Sequence, residues 1–217
     1  EGSQNGGIRL AFNHSGDLLA SADWSATLRL WDPGSGKQVF QTQGGSILPR
    51  FSHDDRLLAA GFEGNTLRLW EVAAGREYRT IVRGPGNGPT QYHEPSISPD
   101  GTLLAIGMAD GFGLWDFQSG AELAVVRDVG PTGWLLFEPT GSLLTSSGDF
   151  PLLRWPIQTK PTTPGILKIG PPQKVHANIN GGCQMASSAD GRVLASAQYQ
   201  GGVVLHADRS DEPVRLG

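Results

Sequence analysis

The residue types that could do chemistry are spread thinly and evenly along this chain of 217 residues. Its five histidines, His14, His53, His93, His176 and His206, show no H-x-H or H-E-x-x-H spacing that would bring two imidazoles to one metal. His14 and His53 stand in similar turn signals and read as solvated turn residues, and His206 reads as packed rather than ligating. A serine nucleophile needs a strained G-x-S-x-G elbow or a positioned base, and no such elbow occurs. The adjacent carboxylates Asp54-Asp55 lie in a turn, where solvation and turn formation explain them. The glycines of 84–88 lack the strand, turn and helix of a phosphate loop. Cys183 is single, which excludes an internal disulfide framework and fits a reducing compartment. No catalytic residue, no metal site and no cofactor is expected.

Charge narrows the classes further. The formal net charge is −4 and charged residues make up 18% of the chain, so the basic surface that nucleic acid or an acidic membrane requires is not expected. Six arginines fall between Arg50 and Arg83, but Asp54, Asp55, Glu63, Glu71 and Glu77 nearly cancel them. No apolar run approaches the roughly 18 residues of a membrane span, and 1–7 is too short and polar for a signal peptide. The expected setting is therefore soluble and cytoplasmic.

The elements that must position any functional side chain come from one recurring stretch. LLASADWSATLRLWD at 18–32 returns as LLAAGFEGNTLRLWE at 57–71, LLAIGMADGFGLWD at 103–116 and LLTSSGDFPLLRWP at 143–156. A worn copy, VLASAQYQGGVVLHA, stands at 193–207, with His206 at the position of the tryptophan. Those positions, 31, 70, 115, 155 and 206, are 39, 45, 40 and 51 residues apart, a period that short strands and turns give in repeated sheets. Ahead of each copy lies a turn signal: His14-Ser15-Gly16, His53-Asp54-Asp55, Pro99-Asp100-Gly101, Pro139-Thr140-Gly141 and Ala189-Asp190-Gly191.

Each unit reads as four strands. In the first, Leu28 and Leu30 take one face of the third strand, Arg29 and Trp31 the other. The first two strands of each unit are apolar on both faces and the fourth is half polar, the gradient of a sheet stacked between neighbours with its last strand at the edge. Trp31, Trp70, Trp115 and Trp155 read as core. The fourth unit's last strand is placed near Ile166–Ile169, after a proline-rich stretch at 156–172. The chain is thus expected to be all-β: one domain, 1–217, of five antiparallel blades at about 8–43, 47–83, 93–127, 133–170 and 182–216.

These residues resemble the WD-repeat β-propeller family. The resemblance is carried by Trp31-Asp32 and Trp115-Asp116, the weaker Trp70-Glu71, and turns such as Phe51-Ser52-His53-Asp54-Asp55 and Ile97-Ser98-Pro99-Asp100-Gly101. It implies a ring or arc of blades. The family's Gly-His is missing, with Gly44-Gly45 and Gly181-Gly182 roughly in its place. Its turn aspartate survives as Asp149 and, less closely, Asp110, while Ser25, Gly64 and Gln200 hold that position elsewhere. The buried His–Ser–Asp–Trp network typical of the family is therefore not expected as a complete set, and packing must hold the blades. The chain starts at an innermost strand and ends at an outermost one, without the usual clasp. An open arc, part of a larger protein and able to self-associate through its end blades, is favoured over a closed five-blade ring.

The resemblance also implies where partners dock. The turns joining second and third strands lie on one rim, which the fourth-to-first connections also reach. Trp24, Glu63, Phe150 and Tyr199 fall in the former and Tyr92, His93 and Trp134 in the latter, with Asp23 beside Trp24. Aromatic anchors among scattered charge are what a protein or peptide interface uses. The expected function is a non-enzymatic interaction scaffold. The competing reading, a propeller enzyme or small-ligand binder resembling lactonase-type propellers, would need polar groups converging on the channel.

Overall fold

The computed structural model describes residues 8–23, 25–43, 49–61, 66–72, 76–82, 94–147, 150–158, 167–175, 184–198, 201–206 and 213–216. Twenty-two strands and no helix occur among them. The chain forms two compact units, Glu1–Ile97 and Ser98–Gly217.

The first unit holds two complete sheets. One is β1 (Ile8–Phe12), β2 (Leu19–Asp23), β3 (Thr27–Asp32) and β4 (Lys37–Gln43); the other is β5 (Arg50–Phe51), β6 (Leu57–Gly61), β7 (Thr66–Glu71) and β8 (Arg76–Val82). β9 (Pro95–Ile97) is the first strand of a third sheet, whose other strands open the second unit: β10 (Leu103–Met108), β11 (Gly111–Asp116) and β12 (Glu122–Arg127). The fourth sheet is β13 (Trp134–Phe137), β14 (Leu143–Ser146), β15 (Leu153–Trp155) and, after a separate hairpin of β16 (Ile157–Gln158) and β17 (Lys168–Ile169), β18 (Gln173–Lys174). The fifth is β19 (Gln184–Ser187), β20 (Val193–Gln198), β21 (Gly201–His206) and β22 (Val214–Leu216). All five are four-stranded blades, ordered as in the sequence.

Register divides each blade into two faces. In blade 1, Trp31 lies opposite Leu19 and Leu28 opposite Ala22. One face therefore carries Leu19, Ser21, Asp23, Arg29 and Trp31, the other Ala20, Ala22, Leu28 and Leu30. We call these the tryptophan face and the leucine face. The leucine face of blade 1 packs on Phe51, Leu58, Ala60 and Trp70 of blade 2. In the second unit, Leu103, Ala105, Phe112 and Leu114 of blade 3 pack on Leu135, Phe137, Leu143 and Trp155 of blade 4. Leu144 and Leu152 of blade 4 meet Met185 and Leu194 of blade 5. The second strands thus carry apolar residues on both faces, and β10 and β14 are buried along their whole length. The outer strands β4 and β22 are mostly exposed.

Three particulars differ from the sequence reading. Trp70, Trp115 and Trp155 are 2–4% exposed, but Trp31 is only partly buried. On the same face of blade 1 the alternate residues of β1 are open, Ile8 at 50%, Leu10 at 57% and Phe12 at 61%. Lys168–Ile169 pairs with Ile157–Gln158 rather than closing blade 4, whose outer strand is Gln173–Lys174 against Leu153 and Arg154. The cause of the last is the residue after the tryptophan. Asp32 accepts from the main-chain N–H of Gly34 and Ser35 and from the Ser35 hydroxyl, and Asp116 accepts from Ser119 in the same way. Each thereby builds the tight turn into the fourth strand. Pro156 has no such carboxylate and no N–H, so the chain runs on into the extra hairpin, with the Gly170 N–H donating to the Pro156 carbonyl.

Where Trp31 and Trp70 have arginine two residues earlier, Trp115 has Gly113. A β-carbon on Gly113 would stand 2.3 Å from the Trp115 ring. Gly113→Ala should therefore displace an indole that is 2% exposed. Overpacking of this kind costs about 1–3 kcal/mol, and the urea midpoint of the variant, at unchanged slope, should fall accordingly.

Candidate functional site

The turns between first and second strands share one device. Ser52, Ser98 and Ser188 each donate a hydroxyl to the carboxylate two residues on, Asp54, Asp100 and Asp190, at 2.6 Å. Each hydroxyl oxygen in turn accepts the N–H five residues on, from Leu57, Leu103 and Val193, at 2.9 Å. Asn13 does this work in blade 1, donating to Asp17 and accepting from the Leu18 N–H. In blade 4 the position is Glu138, which keeps the main-chain turn and turns its carboxylate to Arg154 in a two-pronged pair at 2.7 Å.

The third residue beyond each of these takes a left-handed backbone. Gly16, Gly101, Gly141 and Gly191 fill it in four blades, Asp55 in the other with φ 58°. The Asp55 carboxylate accepts the N–H of His14 at 2.8 Å and of Ser15 at 2.9 Å, with His14 Nδ1 at 3.1 Å. His14 and His53 meet edge to face, their centroids 4.8 Å apart. The Asp54-Asp55 pair thus divides its work: Asp54 shapes its own turn, and Asp55 ties blade 2 to the turn of blade 1.

Hydroxyl donation holds the Asp17, Asp54 and Asp190 carboxyls below the ordinary range, through Ser15, Ser52 and Ser188 respectively. Burial pushes Asp55 up, but the donors of His14 and Ser15 outweigh it and the net displacement is downward. A carboxyl depressed on folding contributes stability above its unfolded value of about pH 4 and loses it as pH falls through the folded value. Melting temperature should therefore drop as the protein is acidified below about pH 4, and less steeply in a Ser52→Ala/Ser188→Ala variant. Parallel slopes would show that these carboxylates do not govern the acid response.

The second-to-third strand turns expected to face partners are only partly described. Trp24, Glu63, Tyr92, His93 and Tyr199 lie outside the described residues. Asp23, expected beside the docking aromatics, is instead 2% exposed. It accepts from Arg29 at 2.8 Å and from the Ser25 hydroxyl and the Thr27 N–H. Phe150 is 47% exposed. Its ring lies 3.0 Å from where a β-carbon on Gly130 would be, so the blade 4 turn meets the connection between blades 3 and 4. Trp134 is half-buried and packs against the cluster shared by blades 4 and 5. Among the described residues no three His, Cys, Asp or Glu side chains gather closely enough to hold a metal. The charged group on the innermost strands of the first unit is Arg9 with Glu94 at 4.0 Å and the neighbouring Arg50, whose guanidinium is lowered by burial.

The tryptophan positions carry a further polar link. Trp31 Nε1 donates to Ser21 Oγ at 2.8 Å and Trp155 Nε1 to Thr145 Oγ1 at 2.9 Å. Residues 1–32 match the WD40 model, WD domain, G-beta repeat, and the five blades repeat that unit.

The first blade carries a WD40 repeat, and the four sheets that follow are built on the same four-strand plan.

No curated protein matches its sequence. WD-repeat propellers commonly serve as interaction scaffolds, and among the described residues no helix is long and apolar enough to cross a membrane. In blades 1 and 3 the aspartate of the Trp-Asp pair is a turn builder. The buried carboxylate of blade 1 is Asp23, paired with Arg29 at 2.8 Å.

The fifth repeat departs most. His206 does not take the tryptophan position: it is exposed and lies opposite Val193. Leu205, opposite Leu194, is the counterpart of Trp31 opposite Leu19. Gln198 pairs directly with Gly201, as Met108 does with Gly111, so this repeat follows the shorter hairpin of blade 3 and every later residue shifts by one. Ser196, the counterpart of Ser21 and Thr145, is consequently left with a buried hydroxyl and no hydrogen-bond partner among the described residues. Relieving an unmet buried hydroxyl is worth on the order of 1 kcal/mol. Ser196→Ala should therefore raise the urea midpoint, where Thr145→Ala, which orphans the Trp155 indole, should lower it.

Proposed function

We propose that this protein is a non-enzymatic scaffold that offers the rim of its blades to a protein or peptide. The observation that supports this reading is Phe150, an exposed aromatic ring lodged against the main chain at Gly130. A ring held in the open this way loses little freedom on binding, which is the property of an interface anchor. Trp134, half-buried at the start of β13, belongs to the same side of blade 4 in this reading. Trp24, Glu63, Tyr92, His93 and Tyr199 are assigned to the rim by sequence. The alternative of a lactonase-type propeller has one charged group in its favour, Arg9, Arg50 and Glu94. Two of its three members are cations, and none is placed as the base of a hydrolytic reaction.

The test is affinity capture with crosslinking, on the intact chain and on Phe150→Ala and Trp24→Ala variants, each checked for an unchanged melt. Loss of the same captured protein from both variants is the expected result. Full capture by both would remove the rim from consideration, as would hydrolytic turnover that vanishes on Arg50→Ala.

A further inference from the structure

The charged side chains on the innermost strands of the first unit form a group that neither the packing of the blades nor the rim uses. Arg9 and Glu94 hold the same place in their blades, four residues ahead of Asn13 and Ser98, and Arg50 stands two ahead of Ser52. The corresponding positions of blades 4 and 5 carry no charge: Trp134 and Leu136 in one, Gln184 and Ala186 in the other. β5 neighbours both β1 and β9, so the three charges come together across consecutive blades. Each arginine stands opposite an alanine of the second strand, Ala22 for Arg9 and Ala59 for Arg50. A long side chain therefore meets no bulky partner across the ladder. Through Ala22, Arg9 belongs to the leucine face that blade 2 covers, not to the face where Leu10 is exposed.

Charge does not balance in this group. Glu94 is 7% exposed and lies 4.0 Å from Arg9, so its carboxylate is already shared. Burial pulls the Arg50 guanidinium below its ordinary value; Glu94 works against that pull and Arg9 with it. None of the described residues accepts a hydrogen bond from this guanidinium. Two cations thus face one carboxylate. A half-buried guanidinium carries five donors and no acceptor, and an oxyanion satisfies it in a two-pronged pair. The Arg9 side chain, 39% exposed, leaves the group open to solvent.

We propose that Arg9 and Arg50 form a binding site for a small oxyanion, a carboxylate or a phosphate, on the innermost strands of blades 1 and 2. Glu94 is its built-in competitor and sets how tightly the anion is held. The site binds and performs no reaction. It lies on strands and not on rim turns, so it and the scaffold reading can fail separately.

The test follows the arginine Nε–H signals of the intact chain by NMR as sodium phosphate, and in a second arm sodium acetate, is added at constant ionic strength. Arg9 and Arg50 should shift and saturate, while the exposed Arg192, held only by its neighbour Asp190, should not. Saturation by phosphate alone assigns a phosphate site, and by acetate alone a carboxylate site. Arg50→Gln should weaken binding about tenfold or more, the loss of a charge-assisted hydrogen bond. Glu94→Gln should strengthen it several-fold, a gain that a purely structural ion pair would not give. Absence of saturation at Arg9 and Arg50 with both anions overturns the proposal. So does an Arg50→Gln chain that binds as the unaltered one does, or a Glu94→Gln chain with an unchanged melt and weaker binding.

Discussion

The contact on which everything else depends is a bulky face laid on a flat one. Trp70 and Trp155 are each buried beneath the leucine face of the blade before them. Emptying a site of that size typically costs about 3–5 kcal/mol, a large share of a domain's whole stability. The requirement explains the composition of the inner strands. Alanine, glycine and leucine on one face and an aromatic on the other are needed together, and neither alternation alone would stack. It also explains why β10 is buried at every residue while β4 is not.

Hydrogen bonding sets the spacing between those faces. In four blades the serine or asparagine that opens the first turn accepts one N–H and donates to a carboxylate, so a reversal of the chain costs no buried polar group. Asp55 extends this from within a blade to between blades. It occupies a backbone region that favours glycine, and holding an aspartate there carries a modest conformational cost. Three contacts with His14 and Ser15 offset it.

Much of this was legible in the sequence, and the failures have identifiable causes. The four-strand units and their order follow from the alternation and the turn signals, because a period of two with both faces apolar has few other solutions. His206 was misplaced because a linear comparison with the first repeat cannot detect that Gln198 and Gly201 close a hairpin shorter than the one joining Ala22 to Leu28. Trp31 looked as buried as its counterparts because a repeat motif specifies the face a side chain takes and not what lies on that face. Asp23 resembled a surface charge beside Trp24. Only the register of β2 on β3 brings Arg29 within 2.8 Å of it. Glu138 gave no signal at all, since it stands where the other blades have serine or asparagine.

The detour in blade 4 has a consequence for how such a chain can change. Between Trp155 and Gln173 the polypeptide leaves the sheet, forms its own small ladder and returns, and the three inner strands keep the pairing seen in the other blades. The outermost position is rejoined by two residues alone. That edge is where the architecture absorbs new sequence: a graft or a lengthened segment there disturbs two rungs, whereas one at the opposite end of the sheet would reach the aromatic interior.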